Sequence, residues 1–167
     1  MTNYQKIDIF FQSLDSKMLK DVPAIISETA TEYFKESFVT KSFDGKAWTP
    51  AKRNEKRGSL MVRTGALMGS IRPSLVSASK VTISAGSTKV PYAKVHNEGG
   101  EVILPPRSET FIRNRNKKGR FKKGTVSGQG FTLKESRFNM PKRQFMGHTQ
   151  KLNNIIVQRI QSLLKEK

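Results

Sequence analysis

Residues 81–106 read VTISAGSTKVPYAKVHNEGGEVILPP, and the order of elements in this stretch decides the fold class. Val81, Ile83 and Ala85 alternate with Thr82 and Ser84, the period-two pattern of a half-buried strand over 80–86. Tyr92 to Glu98 then forms a helical turn that Gly99-Gly100 ends. Glu101 to Leu104 returns to strand, stopped by Pro105-Pro106, which cannot continue a ladder. Strand, short helix and strand within 26 residues exclude both an all-helical bundle and an all-β sandwich.

Immediately upstream, residues 71–77 read as a second strand, paired with 80–86 through a tight turn at Ser79. Leu60 to Ile71 holds one short helix that ends near Ser70. Residues 41–59 are irregular: Asp44-Gly45 is a turn signal, Trp48 is the sole tryptophan, and Lys52, Arg53, Lys56 and Arg57 belong on the surface. Residues 4–40 are helical. Ile7, Phe10, Phe11, Leu14 and Met18 recur at three- and four-residue steps, and Val22, Ile26, Ala30, Tyr33, Phe34 and Phe38 continue the spacing. Glu28, Glu32, Lys35 and Glu36 fill the opposite face. Asp21 before Val22-Pro23 predicts a cap and a fresh helix start there.

Downstream, residues 107–143 hold twelve Lys or Arg against two Glu, broken by Gly119, Gly124, Gly128 and Gly130. So long a stretch without helix or strand is uncommon inside a compact domain. It is read as an extended arm or long β-hairpin loop, with Phe111, Phe121, Phe131 and Phe138 docking parts of it. From Thr149 a last helix carries Leu152, Ile155, Ile156, Ile160, Leu163 and Leu164 on one stripe. Lys165 and Lys167 sit at its end, where cations suit the helix dipole. The expectation is one α+β domain over 1–167, with N-terminal and C-terminal helices packed on a small, mainly antiparallel sheet. A basic arm at 107–139 is part of it.

The 167 residues carry 31 Lys or Arg and 13 Asp or Glu, a net charge of +18. Residues 1–40 are nonetheless mildly acidic, with four Lys against six acids. That asymmetry excludes a uniformly basic, histone-like chain. With 35% hydrophobic residues and a mean hydropathy of −0.54, the core is modest. No cysteine is present, which excludes disulfide frameworks, thiol catalysis and Cys-based zinc sites. No run of apolar residues exceeds three, which excludes a membrane-spanning helix and a signal-peptide core. The expected location is therefore a cytoplasm, or release from one by lysis.

Reactive constellations are scarce. His96 and His148 are the only histidines, and neither is paired by a motif with a nucleophile. His96 beside Glu98 is a poor metal set, so His96 reads as a packing or hydrogen-bonding residue. Asp44 and Glu55 as a carboxylate pair give way to Asp44 as a turn former. No P-loop or dinucleotide fingerprint occurs, and Gly65 with Gly69 is a GxxxG without the apolar segment that would give it meaning. No enzyme activity, cofactor or metal is expected. The strongest feature is Arg113, Arg115, Lys117, Lys118, Arg120, Lys122 and Lys123, interleaved with Phe111 and Phe121. It supports three readings equally: a phosphate-neutralising surface with stacking aromatics, a solvated loop, or a dock for an acidic protein surface. No zinc knuckle, RNA-recognition signature or helix-turn-helix pattern adds sequence specificity.

Five separated motifs occur in order: FDGKAWTP (43–50), LMVRTGALMGSIR (60–72), VTISAGS (81–87), PYAKVHNEGG (91–100) and MPKRQFMG (140–147). The order resembles the virion morphogenesis family of tailed phages, the Mu-like G protein and tail-completion group. The resemblance spans about residues 30–165. It rests on Asp44, Gly45 and Trp48; on Thr64, Gly65, Leu67, Ser70 and Ile71; on Tyr92, Ala93, His96, Gly99 and Gly100; and on Pro141, Arg143 and Phe145. Gln144 stands where a second proline is common, and the basic arm is longer than the family core requires.

The resemblance implies a non-enzymatic assembly protein of the tail end or head–tail junction, similar to ring-forming tail terminators and neck proteins, often sixfold. Its partners would be further copies of itself and tail-tube or head-connector proteins, with DNA contact possible and no membrane. It would reside in the virion, and in the host cytoplasm during assembly. A head-to-tail ring needs two complementary patches per subunit, which the acidic N-terminal helices and the basic remainder can supply. The matched residues are expected to hold the fold: Trp48 against the helical layer, the glycines in tight turns, Tyr92 and His96 on one helical face, Arg143 on a carboxylate or backbone carbonyls. The competing reading is a nucleic-acid backbone binder using residues 107–143. A lysis hydrolase lacks any catalytic constellation.

Overall fold

The computed structural model describes residues 3–51, 57–110 and 130–165. The chain divides into two compact units, one of Met1–Gly99 with Pro141–Lys167 and one of Gly100–Met140. The class is α+β, as the sequence indicates.

The first unit begins with one unbroken helical rod. Helix α1 (Asn3–Ser16) passes through a π turn (Lys17–Asp21) into α2 (Val22–Thr40). The expected cap at Asp21 is therefore corrected. Its φ of −77° and ψ of −39° are helical and its side chain makes no capping bond. The reason lies two residues on. Pro23 has no N–H and its ring crowds the carbonyl four residues back. The turn widens by one residue, and Val22 N–H reaches Lys17 O, five residues back. The apolar rows on either side of Asp21 thus belong to one rod.

Lys41 ends α2 in a left-handed conformation (φ 55°). Strands β1 (Ser42–Phe43) and β2 (Lys46–Ala47) follow as a tight hairpin. Its two central residues, Asp44 (φ 50°) and Gly45 (φ 76°), both have positive φ, as a type I′ turn requires. Helix α3 (Ala66–Gly69) is only four residues long. The helix expected from Leu60 is shortened because Gly65 sits at φ 76° and starts it late. Leu60 and Met61 instead make a tight turn closed by paired 2.8 Å bonds between Ser59 and Val62.

Strands β3 (Arg72–Val76) and β4 (Val81–Ser84) pair antiparallel, with a bulge at Pro73, which cannot donate to the ladder. Helix α4 (Ala93–Glu98) ends at Gly99, φ 75°. After the second unit the chain returns through 141–149 to α5 (Gln150–Lys165). Thr149 caps it, its Oγ accepting from Leu152 N at 3.1 Å. α5 lies antiparallel on α2: Tyr33 meets Thr149, and Arg159 Nη1 donates to Thr29 Oγ at 3.0 Å. Phe38, Phe145, Ile71 and Thr29 are the most deeply buried side chains of the unit. On α5 only Leu152 is fully buried, and Leu164 lies off the stripe, 44% exposed.

The second unit is a β-ribbon. Strands β5 (Gly100–Leu104) and β8 (Ser136–Met140) pair antiparallel, and β6 (Arg107–Thr110) with β7 (Gly130–Leu133) extends the same hairpin outward. Pro105-Pro106 marks the break between the ladders. Val102 faces Phe138 across one surface of the ribbon, and Ile103 faces Arg137 across the other. Among the described residues the strands form four separate two-stranded antiparallel ladders.

Candidate interaction site

The motif residues within 43–50, 92–99 and 141–147 meet at one crossing point, where segment 141–149 runs between the β1–β2 hairpin and the end of α4. Trp48 follows the type I′ turn, and its backbone N–H donates to Lys41 O at 2.8 Å. Its ring meets Phe38 edge-on, with centroids 5.3 Å apart. Nε1 donates to Gln144 O at 2.6 Å. Phe145 packs on the other side of Phe38 at 5.2 Å and is 1% exposed.

Arg143 is the second tie. Its guanidinium donates from Nε to Thr49 O (2.9 Å) and from Nη2 to Pro50 O (3.3 Å), and its backbone N–H donates to His96 O (2.8 Å). It therefore anchors backbone carbonyls, in a largely buried position where burial lowers its pKa. Asn97, which sequence reading passed over, is the third tie. Its Oδ1 accepts from both Phe145 N (2.9 Å) and Met146 N (3.0 Å). Its position inside HNEGG, at the end of a helix, was the available signal.

Gly99 makes the crossing possible. A Cβ there would sit 2.9 Å from Lys142 N, closer than real contacts allow. Tyr92 and His96 share a face of α4, edge to face at 5.6 Å. His96 Nδ1 is buried and has no hydrogen-bond partner among the described residues. Burial, and then the charge of Arg143, push its pKa below the ordinary imidazole value. A ring held edge to face against Tyr92, with its charged form disfavoured, acts as a packing element. The remaining motif braces the neighbouring hairpin. Ser70 Oγ donates to Leu67 O (2.7 Å) and accepts from Gly86 N (2.9 Å), with Leu67 and Ile71 buried beside it. Thr64 Oγ accepts weakly from Ala66 N at 3.4 Å.

A groove of about 460 Å³ opens over this crossing, with Phe43 and Trp48 at its base and Asp44, Lys46, Lys142 and His148 around it. Among the described residues no group of three or more His, Asp or Glu is placed to hold a metal ion.

Arg113, Arg115, Lys117, Lys118, Arg120, Lys122 and Lys123 lie outside the described residues, as do Phe111, Phe121 and the 52–56 stretch. The ribbon that carries the arm is described. Ile103, Leu104, Leu133 and Phe138 are each more than two-fifths exposed on it. Arg137 pairs with Glu135 at 2.7 Å at its surface.

No helix among the described residues is long and apolar enough to cross a membrane. No curated protein and no solved structure matches the chain. The sequence pattern of the phage virion morphogenesis family runs over residues 3–165, and the chain therefore belongs to that family, with a part in assembling a phage particle.

Proposed function

We infer that this is a non-enzymatic assembly protein of tail completion or head–tail joining, working as one subunit of a tail-terminator or neck ring in the virion. It is built in the host cytoplasm from copies of itself, and it meets tail-tube or head-connector proteins through its basic arm. The ribbon of the second unit carries this reading. A two-stranded hairpin is at best marginally stable in water, yet this one extends over nine paired positions with apolar side chains exposed. Such a ribbon gains stability when a partner covers it, which is what an arm between assembling subunits does.

The test is to delete the gene in the phage or prophage that encodes it and image the lysate. Filled heads beside separate, unfinished or overlong tails are expected. Normal infectious virions would overturn the reading. Removing residues 113–124 alone is expected to block assembly with the thermal midpoint unchanged.

A second reading has its own support in the net +10 of residues 107–143. On it, the arm grips nucleic-acid backbone, and binding falls with salt at a slope of about 0.9 per neutralised phosphate on duplex DNA. Any protein of this charge binds polyanions at low salt, so only binding that persists well above physiological salt favours it.

A further inference from the structure

The geometry points to a docking contact between copies of this chain, in which α1 of one copy lies in the groove between α2 and α5 of the next. The contact rests on the self-assembly part of the reading above and is independent of where in the virion the ring sits.

The argument starts from the rod. α5 runs back along α2 from the Thr149–Tyr33 contact to the level of Lys17, whose Nζ donates to Leu163 O at 3.3 Å. There α5 ends, and α1 continues past it for another 14 residues, about 21 Å at helical rise. Because the π turn keeps the rod continuous, α1 cannot fold back onto its own body.

The overhang is nonetheless built for burial. Tyr4, Ile7, Phe11, Leu14 and Met18 recur at alternating steps of three and four, the seam of a helix that packs on helices. Phe10 and Phe11 are each 60% exposed, and within the chain they pack on one another. A row of large apolar side chains this exposed marks an interaction surface, so the face calls for a cover.

A matching receiver exists in every copy. Between α2 and α5 runs a groove of about 440 Å³ with Ile25, Ile155 and Leu163 along it. Its α2 wall carries Glu28, with Glu32 one helical turn on. Its α5 wall carries Arg159. Arg159 reaches across to Glu32 at 2.8 Å.

The flanks of α1 carry the complement. At about 100° per residue, Asp8 and Asp15 lie on one side of the apolar seam and Lys6 on the other. One of the two directions of insertion sets the Lys6 flank on the Glu28 wall and the aspartate flank on the Arg159 wall. Overhang and groove are different patches of one chain, so the contact is heterologous and propagates head to tail, closing as a ring if its rotation closes.

The chain has no cysteine, which makes cross-linking clean. Full-length Leu14→Cys and Gln158→Cys proteins, mixed and oxidised, are expected to give a disulfide between the two different variants. Phe11→Asp is expected to lower the sedimenting mass to the 18.8 kDa monomer, with the thermal midpoint of the body unchanged. Val39→Asp, at an exposed site on α2, is the control that keeps the oligomer.

Disulfides only between Leu14→Cys chains would replace this docking with α1–α1 pairing. An oligomer that survives Phe11→Asp would overturn the docking and leave the ring reading standing. A wild-type protein monomeric over its whole soluble range would overturn the docking together with the self-assembly it rests on.

Discussion

The indole Nε1 of Trp48 donates a 2.6 Å hydrogen bond to the carbonyl oxygen of Gln144, 96 residues further along the chain. The bond ties the β1–β2 hairpin to the segment that enters α5, while the ring fills the space beside Phe38. The two contributions separate by substitution. Trp48→Phe keeps most of the ring but leaves the carbonyl without its donor, an expected loss of about 1–2 kcal/mol. Trp48→Ala also empties a buried aromatic site, an expected loss of about 3–5 kcal/mol. Urea titration followed by far-UV circular dichroism gives both values. Equal losses would mean the hydrogen bond contributes nothing separable.

Gly99 and Gly45 both have positive φ, 75° and 76°, but Gly99 combines it with a ψ of −174°, a region open essentially to glycine alone, and the two differ in their surroundings. A methyl group on Gly45 meets nothing within 4 Å, whereas on Gly99 it lies 2.9 Å from Lys142 N and 3.0 Å from Lys142 Cα. Gly45→Ala carries only the left-handed backbone cost, about 1 kcal/mol. Gly99→Ala adds a clash with main chain that cannot swing aside, and an expected total of about 3 kcal/mol. Thermal melts of the two variants are expected to differ clearly, Gly99→Ala the lower.

The half-buried His96 ring gives folding an acid dependence. Its folded pKa lies below the ordinary value because burial and the neighbouring Arg143 charge disfavour the imidazolium. The unfolded chain therefore takes up this proton first, at about pH 6.5. Stability from this group is full above that pH and is lost as pH falls from there toward the folded value. Between pH 7.5 and 5.5 the free energy of unfolding is expected to decline. His96→Phe, which also removes the unpartnered Nδ1, is expected to flatten that decline. An unchanged slope would assign the acid dependence to other groups.

Elements fixed by neighbours in the chain were legible in the sequence. Asp44-Gly45 supplies two positive φ angles, Gly99 stops α4, Pro105-Pro106 interrupts the ribbon, and the alternation at 81–85 makes β4. The exceptions arise where a local signal meets a second constraint. Asp21 has the chemistry of a cap, yet Pro23 is accommodated by widening the turn and the helix runs through. Leu60 to Ile71 reads as one short helix, yet Gly65 takes a left-handed conformation and Leu60 and Met61 form a turn before it. The crossing point was legible only as residue types. Trp48, Arg143 and Asn97 act through backbone partners at sequence separations of 96, 94 and 48, which no spacing rule encodes.

Asn97 offers the sharpest check on that crossing. One side-chain oxygen satisfies two backbone donors, Phe145 N and Met146 N. Asn97→Ala leaves both without a partner in a half-buried setting, and an expected loss of about 2–4 kcal/mol follows from two unmet donors. Asn97→Asp keeps the oxygen and makes it an anion, which accepts such bonds more strongly. It is expected to fold at least as stably as wild type near pH 7, and to lose that advantage as acid protonates the carboxylate. Amide exchange at residues 145 and 146 reads the same contact directly, fast in the alanine variant and slow in the aspartate one. Equal exchange in both variants would show that the two amides are protected by burial alone and that Asn97 is not what holds the returning segment in place.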